Sequence, residues 1–163
     1  MVTTADLQIE NERSLKALQR LLHGEVAAAE AYERAIQRLG ESAPNELTTC
    51  LQSHQQRVEK LTVHIFELGE KPEDCSGVWG TFVKLIESGA ALLGQRAVIG
   101  SLEEGEDHGL AEYRQQIDEL SPESRRFAEA ELLPEQVRTH DLMSDLCSAG
   151  AMETSDKDNK DTP

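Results

Sequence analysis

Apolar residues recur at alternating intervals of three and four along most of this chain, and this spacing constrains the fold more than any other feature. Such alternation places residues on one stripe of an α-helix. Stripes run through residues 15–39, 47–68, 99–120 and 127–140. Because each stripe needs a partner to bury it, the sequence predicts an all-α protein in which four helices share one core.

Turn and capping residues predict where the helices end. We expect helices at about residues 6–39, 46–68, 90–120 and 122–147. The Gly- and Pro-containing stretch 69–89 holds at most a short helix, and it is long enough to recross a bundle. We predict a crossover there, with Trp79 buried as an apolar anchor. Pro134 lacks a backbone donor and should kink or divide the last helix.

The length of 163 residues predicts one domain. We expect this domain to span residues 1–149 as a single bundle. Residues 150–163 are acidic and almost free of apolar side chains, so we predict a disordered tail.

The net charge of −15 disfavours nucleic acid and anionic membranes as partners. The chain has no long apolar run and no basic-then-apolar leader, which favours a cytoplasmic protein. Its three cysteines, Cys50, Cys75 and Cys147, lack disulfide or zinc-site spacing and are predicted to be free thiols.

An internal repeat with an offset of 81 residues relates the third helix to the first. The repeated residues include a buried-stripe glutamate, Glu25 and Glu106, each followed seven positions later by a tyrosine, Tyr32 and Tyr113. A fainter echo relates the second and fourth helices. In that echo His54 corresponds to Glu135, and Arg57 corresponds to Arg138. The bundle is therefore predicted to consist of two pseudo-repeated helical hairpins.

This twice-used Gly-Glu with a later Tyr, on helices one and three of a bundle with a long crossover, resembles the ferritin-like superfamily. The segments "LGEKPEDCSGVWGTF", "GEDHGLAEYRQQI" and "LPEQVRTHDLMSDL" resemble an uncharacterised bacterial family of ferritin-like four-helix-bundle proteins whose domain has no assigned function. The resemblance covers about residues 14–147. It implies an up-down-down-up bundle with the long crossover between helices two and three.

Ferritin-like bundles usually carry a di-iron or di-manganese site made from one Glu on each of two helices and a Glu-x-x-His on each of the others. The resemblance places Glu25 and Glu106 at the single-Glu positions. This chain departs from the pattern elsewhere, because Arg57 stands where a ligand His is expected and Val137 precedes His140 by three residues. We therefore expect at most a reduced iron or manganese site. Its candidate ligands are Glu25, Glu106 and His140, with His54 and Glu135 as further candidates.

The positions of these residues along the bundle axis limit which of them can bind the same metal ion. Glu25 should face the region of residue 60, which leaves His54 about six residues, or roughly 9 Å, away and too far to share one ion with Glu25 directly. Glu106 should face Val137, with His140 one helical turn away.

A structural alternative assigns no metal to the two glutamates. Each could accept a hydrogen bond from a tyrosine on a neighbouring helix, or pair with Arg57 or Arg138, and so fix the helix register. Two classes of function follow. The first is a non-enzymatic bundle that binds a protein partner or forms a homo-oligomer, and the second is a metal-binding redox or stress-related bundle. The departures from the ligand pattern favour the first class, and the duplicated glutamate supports the second. Whether the protein is an enzyme stays open.

Overall fold

The computed structural model describes residues 3–73 and 80–158, of which residues 80–93 and 151–158 are described by their backbone alone. Within these residues the chain is helical almost throughout and has no strand, so the all-α prediction is confirmed. Trp79 and Cys75, on which two sequence predictions fall, lie outside the described residues. The helices are α1 (Thr4–Leu39), α2 (Asn45–Glu67), α3 (Gly80–Ile117), α4 (Pro122–Phe127) and α5 (Leu133–Asp158).

Local chemistry explains the ends of α1. The Thr3 hydroxyl accepts a hydrogen bond from the Asp6 backbone N–H, and the Asp6 carboxylate accepts one from the Thr3 N–H, which forms a capping box. The helix stops at Gly40, whose φ of 56° is costly for any residue with a side chain. One 3₁₀ turn, Gly40–Ser42, then leads into α2, so the short first connection is confirmed.

The start of α3 differs from the prediction. The helix begins at Gly80, whereas we expected a crossover to residue 89 and a helix from about 90. Gly94, with a φ of 73° and a ψ of −168°, interrupts the helical geometry between residues 80–93 and residues 95–117. A left-handed φ of this kind favours glycine, which explains why the break falls there.

A π-helical turn, Ala128–Leu132, joins α4 to α5. Pro134 explains this turn, because it has no N–H for the carbonyl of Ala130 and its ring crowds that carbonyl. The predicted disturbance at Pro134 is thus confirmed, but the predicted stripe of this helix is only partly right. Phe127 and Leu133 pack against the core, whereas Ala130 and Val137 are exposed. After the turn the inward face follows Gln136, Thr139 and Met143, and Val137 is 37% exposed. The buried residues are Ser124, Ala128, Leu132, Gln136, Thr139 and Met143.

The end of α5 also needs correction. The helix continues to Asp158, whereas we expected it to end near residue 147 and a disordered tail to begin at 150. Residues 151–158 contain neither Gly nor Pro, so no local signal stops the helix there.

The core consists of two apolar clusters with a polar layer between them. One cluster combines the first half of α1 with the C-terminal parts of α2 and α3, including Leu18, Leu61 and Ile117. The other combines the second half of α1 with the N-terminal part of α2 and with α3 around Ile99 and Leu102. The first half of α1 therefore packs against the end of α3, which means that these two helices run antiparallel. Glu25 and Glu106 lie between the clusters.

Candidate functional site

Side chains from all four helical stretches of the bundle meet in a buried polar cluster, which we call the central network. None of its members is more than 3% exposed. Its members are Glu25 and Tyr32 on α1, His54 and Arg57 on α2, Glu106 and Tyr113 on α3, and Gln136 and Thr139 on α5.

Glu25 accepts hydrogen bonds from three side chains. Its Oε1 lies 2.7 Å from Arg57 Nε and 2.6 Å from the Tyr113 hydroxyl. Its Oε2 lies 2.7 Å from His54 Nδ1. Burial alone would raise the pKa of this carboxyl, but the charges of Arg57 and His54 and their hydrogen bonds lower it to about 2. Glu25 is therefore ionised at neutral pH although it is completely buried.

Glu106 is bonded at both of its oxygens. Oε1 accepts from the Tyr32 hydroxyl at 2.7 Å and from His54 Nε2 at 3.0 Å. Oε2 accepts from Gln136 Nε2 and from the Thr139 hydroxyl, each at 2.9 Å. Burial acts to raise the pKa of Glu106, and the bonds from His54, Tyr32 and Thr139 outweigh it and lower the pKa below its usual value.

His54 connects the two carboxylates, one at each ring nitrogen. Burial acts to lower the pKa of His54, but Glu25 and Glu106 raise it above 6.5. Arg57 Nη2 also lies 2.7 Å from His54 Nδ1. Nδ1 cannot donate to Glu25 and accept from Arg57 at once. We assign its proton to the bond with Glu25, because two carboxylates surround the ring and favour the doubly protonated form.

Arg57 donates hydrogen bonds to three side chains on three helices and is only 1% exposed. Besides Nε to Glu25, it donates through Nη1 to Ser53 Oγ at 3.0 Å and through Nη2 to Gln136 Oε1 at 3.1 Å. Two carboxylates thus meet one guanidinium and one imidazolium. The central network is electrically neutral as a whole, which offsets the cost of burying its charges.

The two tyrosines exchange partners across the repeat. Tyr32 on α1 donates to Glu106 on α3, and Tyr113 on α3 donates to Glu25 on α1. Side chains on a helix lean toward its N-terminus, so on antiparallel helices a later tyrosine and an earlier glutamate lean toward each other. Burial, followed by the facing carboxylate, raises the pKa of each phenol well above 10. Both tyrosines therefore stay protonated and act as donors.

The structure brings together only part of the predicted site. Glu25, Glu106 and His54 meet, and the pairing of the glutamates with tyrosines and with Arg57 is the alternative that the sequence left open. His140 does not reach Glu106. Its Nε2 lies 2.8 Å from Asp107 and its Nδ1 3.1 Å from Asp141, and its side chain is 22% exposed.

Glu135 also lies outside the central network. It pairs with Arg138 at 2.7 Å and accepts a bond from Ser53 at 2.9 Å. This pair occupies the positions that correspond to His54 and Arg57, but its side chains are 37% and 44% exposed. The repeat therefore places one ion pair in the core and the other at the surface.

The predicted distance between Glu25 and His54 was wrong. The levels of the two residues along their helices predict a separation of roughly 9 Å, but His54 Nδ1 lies 2.7 Å from Glu25 Oε2. Glutamate and histidine side chains each extend several ångströms from the backbone, and together they span that difference. The sequence analysis also missed Gln136 and Thr139, because the predicted stripe runs through Leu133, Val137 and His140, whereas the inward face after the π-helical turn follows Gln136 and Thr139. Pro134 signals that some shift occurs there but not its direction.

A cleft between α1 and α3 leads to the central network. It encloses about 580 Å³ and is lined by small and apolar residues together with polar ones. The polar lining includes Glu25, His54, Glu106, Gln136 and both network tyrosines, and also Arg20, His23, His108 and Glu112. Gly24 and Gly109 also line it. A pocket of this volume is within the usual range for small-molecule sites.

The two glycines in the cleft predict opposite effects of alanine. A Cβ on Gly109 would lie 3.0 Å from Gln136 Nε2, whereas nothing lies within 4 Å of a Cβ on Gly24. We expect Gly24→Ala to stabilise the protein by up to about 1 kcal/mol through helix propensity. We expect Gly109→Ala to destabilise it by about 1 kcal/mol, because Gln136 must move away from Glu106. Urea unfolding of both variants tests this; equal stabilisation would show that Gln136 is not held in place.

The metal ligands expected of a ferritin-like bundle do not fit this centre well. Each oxygen of Glu25 and Glu106 already accepts at least one internal hydrogen bond, and Arg57 lies beside both Glu25 and His54. Among the described residues, no group of three or more His, Cys, Asp or Glu side chains is arranged to hold a metal ion.

The described cysteines take no part in such a site. Cys50 and Cys147 are free thiols, as predicted for these two. Cys50 is buried next to the Tyr32 hydroxyl, and burial together with the charge of Glu106 raises its pKa to about 11. It is therefore a protonated, unreactive thiol at neutral pH.

Comparison with known proteins gives a family. None of the described helices combines the length and apolarity needed to cross a bilayer. No curated protein and no solved structure matches the chain. Residues 13–119, more than half of the chain, match the family described as "Domain of unknown function (DUF2383)". This stretch includes Glu25, His54, Arg57 and Glu106, the charged members of the central network, and the chain belongs to this family.

Proposed function

We propose that this chain is a ferritin-like four-helix bundle with up-down-down-up topology that works without a catalytic centre. The antiparallel packing of α1 against α3, together with the short connections that make α1–α2 and α3–α4 antiparallel hairpins, supports this topology. In this proposal the central network takes the place of a metal centre and fixes how the helices pair.

One observation carries the proposal: the charged and polar groups of the central network are hydrogen-bonded and charge-balanced by one another. Both carboxylates are bonded at each oxygen, and their two negative charges are balanced by Arg57 and a doubly protonated His54. A centre of this kind has no free acceptor that awaits a cation. Reactivity requires an available nucleophile, base or open coordination position, and the network offers none of these.

A fixed pairing of helices is the role that such a network can perform. Buried ionic groups often add little net stability compared with apolar residues of similar volume, but a mispaired helix would leave them uncompensated. A slip of α1 against α3 would break both tyrosine–glutamate bonds at once. The network therefore penalises wrong registers more than it stabilises the right one.

We further propose that the protein is a bacterial, cytoplasmic one that acts by binding another protein or by forming a homo-oligomer. The net charge of −15 supports this choice over nucleic acid or an anionic membrane surface. Light scattering coupled to gel filtration tests self-association. If the protein is strictly monomeric, the homo-oligomer is excluded and binding to another protein is the part of this proposal that stands.

Metal analysis of the wild-type protein, purified without chelators, tests the metal-free centre. We expect well under one iron, manganese or zinc ion per chain, and a melting temperature that does not change with Fe²⁺ (anaerobic), Mn²⁺ or Zn²⁺. A ligand that binds only the folded state raises stability by mass action, so a tightly bound ion would raise the melting temperature. A stoichiometric metal, or a melting temperature that climbs with one of these ions, would overturn the proposal.

A metal-binding redox or stress-related bundle is the second candidate. The observation that favours it is the meeting of Glu25, His54 and Glu106 at the polar part of a cleft. These are the ligand types that iron and manganese take in carboxylate bundles. The same metal analysis decides between the candidates, because this one requires Arg57 to move aside when the ion binds.

A further inference from the structure

We infer that Arg57 is the residue that excludes divalent cations from the centre formed by Glu25, His54 and Glu106, and that Arg57→Glu converts this centre into a divalent-cation site. This inference rests on the proposed metal-free function. It adds a specific cause, since it assigns the exclusion to one side chain and not to the fold.

The position of the guanidinium supports the inference. Arg57 Nε lies 2.7 Å from Glu25 Oε1, and Nη2 lies 2.7 Å from His54 Nδ1. The guanidinium therefore occupies the space between a carboxylate oxygen and an imidazole nitrogen, where a shared ion would have to sit about 2.0–2.2 Å from each. It also supplies the positive charge that such an ion would supply.

Arg57 cannot easily leave this position. Its other two nitrogens donate to Ser53 and Gln136, and its side chain is 1% exposed. A cation that entered would have to break these bonds and place a second positive charge beside a buried guanidinium. Like charges repel strongly in a low-dielectric interior, so the guanidinium and the cation exclude each other.

The remaining side chains are suited to a metal once the guanidinium is gone. His54 and residue 57 are three positions apart on α2 and therefore share one helix face. Arg57→Glu places a carboxylate on that face, next to Glu25 and His54. Two carboxylates and one imidazole then converge, with Glu106 on the far ring nitrogen of His54 to orient it. These ligands suit Mn²⁺, Fe²⁺, Co²⁺ and Zn²⁺.

Titration with Co²⁺ tests the inference, with visible absorption and thermal unfolding as readouts. We expect Arg57→Glu to bind one Co²⁺ per chain, to develop visible ligand-field bands, and to gain about 5–10 °C in melting temperature at a Co²⁺ concentration a hundredfold above Kd. The matched control is Arg138→Glu, which makes the same charge change at the corresponding exposed position. We expect no bands and no stabilisation in this control or in the wild type.

Arg57→Gln is the second variant, in case the introduced carboxylate weakens folding. It removes the positive charge but adds no ligand, so we expect weaker Co²⁺ binding through Glu25 and His54. A folded Arg57→Glu or Arg57→Gln protein without any Co²⁺ response would overturn the inference. An Arg57→Glu chain that stays unfolded at high Co²⁺ would also overturn it, because a real site would stabilise the folded state. A wild-type response to Co²⁺ would instead overturn the proposed metal-free function.

Discussion

Replacement of Arg57 by methionine is expected to lower the free energy of unfolding by about 3–5 kcal/mol. Methionine has a similar length and fills most of the same space, so the loss comes mainly from the charge and not from a cavity. Without the guanidinium, Glu25 keeps His54 and Tyr113 as partners, but the network carries an uncompensated negative charge. Urea unfolding, followed by circular dichroism, measures the effect.

Arg138→Met is the matched control for this prediction. Arg138 corresponds to Arg57 in the repeat and pairs with Glu135. Unlike the buried Arg57, the side chains of Arg138 and Glu135 are each more than one third exposed. Exposed ion pairs contribute little because water and salt screen them, so we expect a loss below about 1 kcal/mol. Similar losses in the two variants would show that burial of the Arg57 pair does not matter, and would contradict the role of Arg57 as the buried charge that keeps the central network neutral.

The fold is largely predictable from the sequence because the stripes of α1, α2 and α3 follow ordinary helical periodicity. Gly40 and Pro122 mark helix ends by well-understood backbone preferences. The stripe of the last helix was not predictable in the same way. Periodicity assumes a constant number of residues per turn, and the π-helical turn Ala128–Leu132 violates that assumption. After this turn Thr139 faces the core, whereas the His140 side chain is 22% exposed.

The members of the site are more predictable than their contacts. Glu25, His54 and Glu106 attract attention because each is a polar residue on an apolar stripe. Arg57 was recognised as a departure from a ligand pattern, and its charge also predicts its role, since a buried carboxylate needs a partner. The contact of His54 with both carboxylates depends on how far the side chains extend and on how the helices are inclined. A comparison of residue positions along idealised parallel helices includes neither quantity.

Acid is expected to destabilise the protein mainly through Glu25. In the folded state its pKa is about 2, against an ordinary value of 4.5 in the unfolded chain. A lowered pKa contributes stability that is present above 4.5 and is lost as the pH falls toward 2. The difference corresponds to about 3 kcal/mol, and Glu106 acts in the same direction. Thermal unfolding between pH 2 and 6 should show this loss.

The loss of stability on the alkaline side of the pH–stability curve is expected to come from His54, whose pKa is raised above 6.5 in the folded state. Its contribution is complete below 6.5 and declines as the pH rises through the raised value, so stability should be greatest between about pH 4.5 and 6.5. We expect Glu25→Gln to flatten the acid limb and His54→Gln to flatten the alkaline limb, while the exposed control Glu59→Gln changes neither. If Glu25→Gln keeps the full acid loss of the wild type, Glu25 is not the buried, paired carboxylate on which the neutral network depends.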